Sequence, residues 1–213
     1  MTSQQGNTKN SWLLTPIFGV AIFVVLYIAA TLLYPGGSQV DKNSVGFSWV
    51  NNYWCNLINE NAVNGQTNPA RPFAMAAMFA LCLTLSIFWF HFPQHIPFRK
   101  LSRRVIQISG ALSMIIAFFL FTDFNHDLVI NFAATFGLIA IAGTFIGLYK
   151  SKSYRLFSFG LFNLLLIGLN NYVYYTKDFI TYLPVIQKVG FATFLIWICC
   201  IVLNLYQVAK IKS

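Results

Sequence analysis

The sequence predicts an all-α integral membrane protein, a single bundle of six transmembrane helices with a short interfacial helix on its outer side. Of the 213 residues, 57% are hydrophobic and only 9% are charged, whereas a soluble domain is about 25% charged. The 22 Phe residues exceed what one core of this size would hold, so much apolar side-chain surface must meet lipid. Transmembrane β-strands would be about ten residues long and alternate in polarity, a pattern that the sequence lacks.

Six apolar runs have the length of roughly 18 to 25 residues that a helix needs to cross a bilayer. They cover approximately residues 12–34, 70–92, 105–122, 128–149, 156–176 and 185–208, with one long connection at 35–69. The first run is longer than the apolar part of a signal peptide and lacks a small-x-small cleavage site, so we expect a retained helix. The whole chain, 1–213, is predicted to be one domain.

Basic residues gather on one side of the predicted membrane. That side carries Lys9, Arg99, Lys100, Arg103, Arg104, Lys150, Lys152, Arg155, Lys210 and Lys212 and no acidic residue. The other side carries Asp41, Glu60, Asp123, Asp127 and Asp178, with only four cations, Lys42, Arg71, Lys177 and Lys188. Because Lys and Arg near span ends are retained in the cytoplasm, both termini are expected to be cytoplasmic. The lack of a targeting segment favours a bacterial plasma (inner) membrane. Membrane lipids are the expected partners, and nucleic acid is not, because the cations form no continuous stripe.

The long connection contains a helical pattern of apolar residues. The stripe consists of Val50, Tyr53, Trp54, Leu57 and Ile58, and the opposite face consists of Asn51, Asn52, Asn56 and Asn59. This spacing predicts an amphipathic helix, with Ser48 at its start and Asn64-Gly65 at its end. Its aromatic residues indicate a position on the outer leaflet or over the bundle mouth. Asn68-Pro69 is predicted to cap the second spanning helix.

Small residues recur along one face of the fourth span. They are Ala133, Gly137, Ala140, Thr144 and Gly147. Such a face allows close helix packing, which in lipid is driven by van der Waals contact. The pattern favours packing within the chain, and a homo-oligomer interface is the alternative.

Ionisable and amide side chains gather at the outer level of the predicted bundle. The turn between the third and fourth spans holds Asp123, His126 and Asp127, followed by Asn131 on the face of Asp127, while Asn170 and Asn171 enter the same layer from the fifth span. Asp123 could orient His126 as a general base, or Asp123 or Asn125 could simply cap the fourth helix. No metal or other cofactor is expected, because only one His lies on this side and a catalytic zinc usually takes two or three.

Two further outer residues are candidates for ligand binding. Arg71 has a planar fork that suits a carboxylate or phosphate, although a salt bridge to Glu60 or Asp123 is an equally good reading. Trp54 lies on the apolar stripe of the predicted interfacial helix. Cys55 is interpreted as a packed thiol, because no neighbouring base is visible in the sequence.

Several short motifs resemble a known family. They are Tyr34-Pro35-Gly36-Gly37, Phe47-Ser48-Trp49-Val50, Asn68-Pro69-Ala70-Arg71-Pro72 and the turn with His126. With them the chain resembles bacterial six-helix membrane proteins of unknown function that are distantly similar to the DRAM and Frag-type family. The resemblance implies a six-helix bundle with its termini inside and a polar outer layer. It also favours a lipidic ligand.

Three functional hypotheses follow from the sequence. The first is a protein that binds a lipid or small amphiphile in a polar cavity of the outer leaflet. The second is a lipid-modifying hydrolase or transferase that uses Asp123 and His126. The third is a small transporter, which is least favoured because polar residues do not continue through the inner half of the bundle.

Overall fold

The structure, a computed structural model that describes residues 11–119 and 126–212, confirms the all-α class. We number the long helices α1 to α6: Thr15–Leu33, Arg71–His91, Lys100–Phe118, His126–Lys150, Tyr154–Thr176 and Leu183–Lys212. All six are long and apolar enough to cross a membrane. The described residues contain no β-strand, only the isolated bridges Gly36–Val45 and Asn61–Thr67.

Two helices, α3 and α6, extend beyond the predicted apolar runs by more than two residues at one end. Helix α3 begins at Lys100, five residues before the expected start at 105, because Lys and Arg are good helix formers and continue the helix into its charged end. Helix α6 has 30 residues, which corresponds to about 45 Å and exceeds a hydrocarbon core of about 30 Å. It must therefore tilt or project from the membrane.

The chain divides into two compact units. The hairpin unit comprises the described residues of Met1–Ala21, Phe79–Phe159 and Trp197–Ser213, and it includes all of α3 and α4. The loop unit comprises Ile22–Met78 and Gly160–Ile196, and it includes the whole connection between α1 and α2. Different interactions stabilise the two units.

In the hairpin unit, the stripe of small residues on α4 packs against its neighbours within the chain, as predicted. Ala140 and Thr144 are fully buried, and a Cβ atom on Gly143 would collide with the side chain of Ile106 in α3. Ser113 of α3 donates a hydrogen bond to the carbonyl of Ala133, at 2.8 Å. The absence of larger side chains therefore lets α3 and α4 approach closely.

A tryptophan joins three helices of the hairpin unit. The indole Nε1 of Trp89 in α2 donates to Thr144 Oγ1 in α4, at 3.3 Å. On the α3 side, a Cβ atom on Gly110 would lie 2.5 Å from the Cβ of Trp89. The ring is 2% exposed, so it fills the space that these small residues leave.

In the loop unit, the predicted amphipathic α-helix is a four-residue 3-10 helix, Trp54–Leu57. Two of the four asparagines expected on the face opposite the apolar stripe, Asn52 and Asn56, are buried instead. Asn52 accepts a hydrogen bond from Ser48 N–H and donates one to Gly37 O, both at 2.8 Å. Asn56 accepts one from Tyr53 N–H, at 2.7 Å. These side chains form hydrogen bonds with backbone N–H and C=O groups that would otherwise pair within an α-helix. The apolar periodicity of the segment therefore does not produce the predicted helix.

Asn68 fixes the end of the same loop and confirms the predicted cap of the second spanning helix. Its Oδ1 accepts a hydrogen bond from Ala70 N–H, at 3.1 Å, as an N-cap side chain does. Its Nδ2 group donates to three carbonyls, of Asn56, Leu57 and Asn59. One buried amide thus attaches the 3-10 turn to the start of α2.

Candidate functional site: an aromatic pocket beside Lys188

The most unusual side chain of the loop unit is Lys188, in the second turn of α6. It is only 9% exposed, yet no acidic group of the described residues lies within ion-pairing distance of it. Its Nζ donates to the carbonyl of Asn52 and to that of Pro184, the latter at 3.0 Å. An ionisable group buried within a spanning helix is costly, so its position indicates a specific role.

Two aromatic rings cover the remaining side of this ammonium group. The Nζ atom lies 5.6 Å from the ring centroid of Phe47 and 5.9 Å from that of Trp54. Such cation–π contacts are worth about 0.5 to 2 kcal/mol, more where water is excluded. Lys188 therefore anchors the 47–54 segment of the loop to α6 with hydrogen bonds and ring contacts rather than with an ion pair.

Trp54 is the second anchor between the loop and the helices. Its backbone carbonyl accepts a hydrogen bond from the Tyr27 hydroxyl, at 2.8 Å, and its backbone N–H donates to Gln187 Oε1, at 3.3 Å. The Trp54 and Tyr27 rings meet edge to face with their centroids 4.0 Å apart. The buried indole Nε1 has no hydrogen-bond partner among the described residues. These contacts fix the position of the indole ring against α1 and α6.

The anchored rings form one wall of a pocket of about 360 Å³. The pocket is lined by Phe23, Val24, Tyr27, Ile28, Trp49, Trp54, Lys188, Val189 and Ala192. The lining atoms are all apolar, so Lys188 contributes its methylene stem rather than its ammonium group. Val24, Ile28 and Val189 are also exposed, and the pocket therefore opens at the surface of the unit.

Cys55 follows Trp54, and the residue as a whole is exposed. Neighbouring groups nevertheless desolvate the sulfur, which raises the pKa of the thiol, and the charge of Lys188 lowers this pKa by a smaller amount. A thiol with a raised pKa is mostly protonated at neutral pH, which makes it a poor nucleophile. The interpretation of Cys55 as a packed thiol stays a prediction, because the residue is exposed.

The structure does not bring the site residues predicted from the sequence together in one place. Trp54 lines the pocket. Arg71 does not, and its guanidinium instead forms a salt bridge with Glu60 at 2.7 Å. Asn170 and Asn171 also lie outside the pocket lining. Asn171 is exposed, and the Oδ1 of Asn170 is buried without a partner in the part of the chain that the structure describes.

The remaining predicted residues belong to the hairpin unit. Asn131 is exposed on α4. His126 and Asp127 begin α4, and their side chains lie outside the described part of the structure. Asp123 lies outside the described residues altogether, so the predicted pairing of Asp123 with His126 stays a prediction. Among the described residues no group of three His, Cys, Asp or Glu side chains could hold a metal ion.

Sequence reasoning missed Lys188, although a signal was present. The residue falls three positions inside the sixth predicted span, 185–208, where a lysine is expensive. It was treated as one of several cations near a span end. Asn52 was missed for a different reason, since its burial depends on bonds to Gly37 and Ser48 that no local periodicity reveals. Neither a family model nor a curated protein or solved structure matches this chain.

Proposed function

We propose that this protein binds a lipid or small amphiphile through the aromatic pocket beside Lys188. The observation that carries the proposal is the pocket itself, whose volume of about 360 Å³ is within the range of roughly 300 to 1,000 Å³ that is typical of ligand sites. An apolar lining and an opening at the surface of the unit suit one acyl chain or another elongated apolar group. Trp49 and Trp54 would meet the more polar part of the ligand, as tryptophan does at membrane interfaces.

The anchoring of the loop indicates that the pocket is preformed and rigidly held. Lys188 and Gln187 bind the backbone of the loop from adjacent positions of α6, while Tyr27 binds it from α1. Three side chains therefore fix the wall that carries Trp54. A preformed pocket needs little ordering when a ligand enters, which favours binding.

We also propose a bacterial plasma membrane location with both termini in the cytoplasm; the charge distribution supports the orientation of the termini. In this orientation the connection between α1 and α2 faces outward and the basic loops face inward. The pocket would then lie in the outer leaflet, at the level of the aromatic residues of the loop.

The binding proposal can be tested by filling the pocket. Ala192→Trp places an indole in the pocket, and Ala142→Trp, at an exposed alanine of α4, is the matched control. The three proteins are purified in detergent with extensive washing, and retained lipid is identified by mass spectrometry. We expect wild type and Ala142→Trp to retain a lipid that Ala192→Trp loses, with similar melting temperatures for all three. Equal retention by all three proteins would disprove the proposal.

The orientation is tested separately by thiol labelling. In a Cys55→Ser background, Asn59→Cys reports on the long loop and Lys152→Cys reports on the turn between α4 and α5. A membrane-impermeant maleimide added to intact cells should label Asn59→Cys only, and lysis should make Lys152→Cys reactive. Labelling of Lys152→Cys in intact cells would reverse the proposed topology.

A further inference from the structure

A second and larger cavity lies in the hairpin unit, and its chemistry differs from that of the aromatic pocket. Its volume is about 1,030 Å³, and its walls come from the segment 95–97, the turn 150–156 and the last third of α6. We call it the basic cavity. Lys150, Lys152 and Arg155 all line it, together with His95.

No acidic side chain of residues 11–119 and 126–212 lines the basic cavity. Among the described residues the only ion pair is that between Arg71 and Glu60 in the loop unit, so no carboxylate of the described chain neutralises these three cations. Lys150 contacts the ring of Phe98 instead, with 5.2 Å between Nζ and the ring centroid. Three like charges around one concavity repel one another, and an anion from outside the chain would relieve that repulsion.

The walls of the basic cavity are held by hydrogen bonds. The Nε1 of Trp197 in α6 donates to Leu156 O in α5, at 2.7 Å, and Ser153 Oγ donates to Asn204 Oδ1 at 3.5 Å. The turn before α5 is closed by backbone bonds from Ser151, Lys152 and Ser153 to the last turn of α4. The cations are therefore presented from a fixed backbone, not from a loose loop.

Part of the lining of the basic cavity is apolar. Leu203 and Val208 of α6 line the cavity and are also exposed on the outside of the unit. A site that combines a guanidinium fork, two ammonium groups and an exposed apolar wall matches a phosphodiester joined to acyl chains. A free phosphate would use the cations but leave the apolar wall unoccupied.

We infer that the basic cavity binds the phosphate headgroup of an anionic phospholipid. Arg155 and Lys152 hold the phosphodiester oxygens, Lys150 adds charge, and the glycerol and acyl groups lie along Leu203 and Val208. Basic pockets at the ends of spanning helices attract anionic headgroups in this manner. This site is independent of the aromatic pocket and of any ligand bound there.

The test uses the full-length protein in nanodiscs of phosphatidylcholine to which phosphatidylglycerol is added. The cavity variant is Lys152→Gln/Arg155→Gln, and the control is Lys100→Gln/Arg104→Gln, which removes two exposed cations of α3 that do not line the cavity. Native mass spectrometry counts retained phosphatidylglycerol, and the melting temperature is followed as its fraction rises. In a further arm, inorganic phosphate is added to discs of phosphatidylcholine alone.

We expect wild type and the control to retain phosphatidylglycerol saturably and to gain thermal stability with it. The cavity variant should lose about thirtyfold in apparent affinity, because it lacks two cations that each contribute about 1 kcal/mol near a headgroup, and every 1.4 kcal/mol is a factor of ten. An equal loss in both variants would indicate diffuse attraction and overturn the inference, as would equal retention of phosphatidylcholine. A stabilisation by inorganic phosphate that phosphatidylglycerol does not exceed would assign the cavity to the free anion and overturn the lipid assignment.

Discussion

The loop unit and the hairpin unit are stabilised in opposite ways. In the hairpin unit, small residues of α3 and α4 allow the helices to pack closely against each other and against large side chains such as Trp89. Few polar side chains take part in this packing. In the loop unit, buried amides and one buried ammonium group bind the backbone of a segment that has almost no regular structure. Packing of regular helices leaves no free backbone groups, whereas an irregular loop must satisfy its backbone with side chains. The two units should therefore respond to different kinds of substitution.

The largest effect is expected where a single methyl group enters the hairpin unit. Gly110→Ala would place a Cβ atom 2.5 Å from the Cβ of Trp89, and neither atom can move without a shift of its helix. Overpacking of this kind costs about 1 to 3 kcal/mol, and we expect the upper half of that range in equilibrium unfolding in mixed micelles.

Gly168→Ala in α5 is the matched control for this substitution. A Cβ atom there would have no neighbour within 4 Å, and alanine favours a helix over glycine by up to about 1 kcal/mol. The control should therefore be neutral or slightly stabilising. A similar response of both variants would contradict the close contact between α2 and α3.

The next effect is expected for a buried amide of the loop unit. Asn52→Ala removes the partners of Ser48 N–H and Gly37 O, and buried groups left unpaired cost about 1 to 3 kcal/mol. We expect a loss of about 2 kcal/mol in the same unfolding assay. Asn59→Ala, at an exposed side chain, should change stability by less than about 0.5 kcal/mol. If the two asparagines proved equivalent, the predicted amphipathic helix would be the better description of the loop.

The six spans could be read from the sequence because they depend on run length and composition alone. The stripe from Ala133 to Gly147 was also readable, since helical spacing places its members on one face whatever the neighbours are. The structure of the loop could not be read in the same way. Asn52 and Asn56 are polar residues of a kind that usually faces solvent, and they are buried because of hydrogen bonds to other parts of the loop, such as that from Asn52 to Gly37 O. The aromatic pocket depends on Lys188 and Trp54, which are 134 positions apart, and their contact follows from the fold and not from a local pattern.

A smaller loss of stability is expected for Lys188→Met, which keeps the stem and removes the ammonium group. The carbonyl of Asn52 loses its Lys188 donor, and the ring contacts with Phe47 and Trp54 weaken. The relief of burying a charge partly offsets these losses, so we expect a net change of about 1 kcal/mol. The clearer readout is local: the release of the loop should expose the indole of Trp54, whose Nε1 is buried, to a water-soluble fluorescence quencher. Unchanged quenching would show that Lys188 does not anchor the loop.

The smallest effect is expected for Arg71→Gln, at the one ion pair among the described residues. Arg71 and Glu60 lie 2.7 Å apart, but their side chains are 35% and 75% exposed. Exposed pairs contribute about 0.2 to 1 kcal/mol and are screened by salt, so the substitution should cost about 0.5 kcal/mol at low salt and less in 0.5 M NaCl. The Arg71→Gln variant should also retain the same lipid as wild type, because Arg71 does not line the aromatic pocket. Loss of that lipid in Arg71→Gln, with stability unchanged, would restore Arg71 as a ligand-binding residue and place the outer site on the loop rather than beside Lys188.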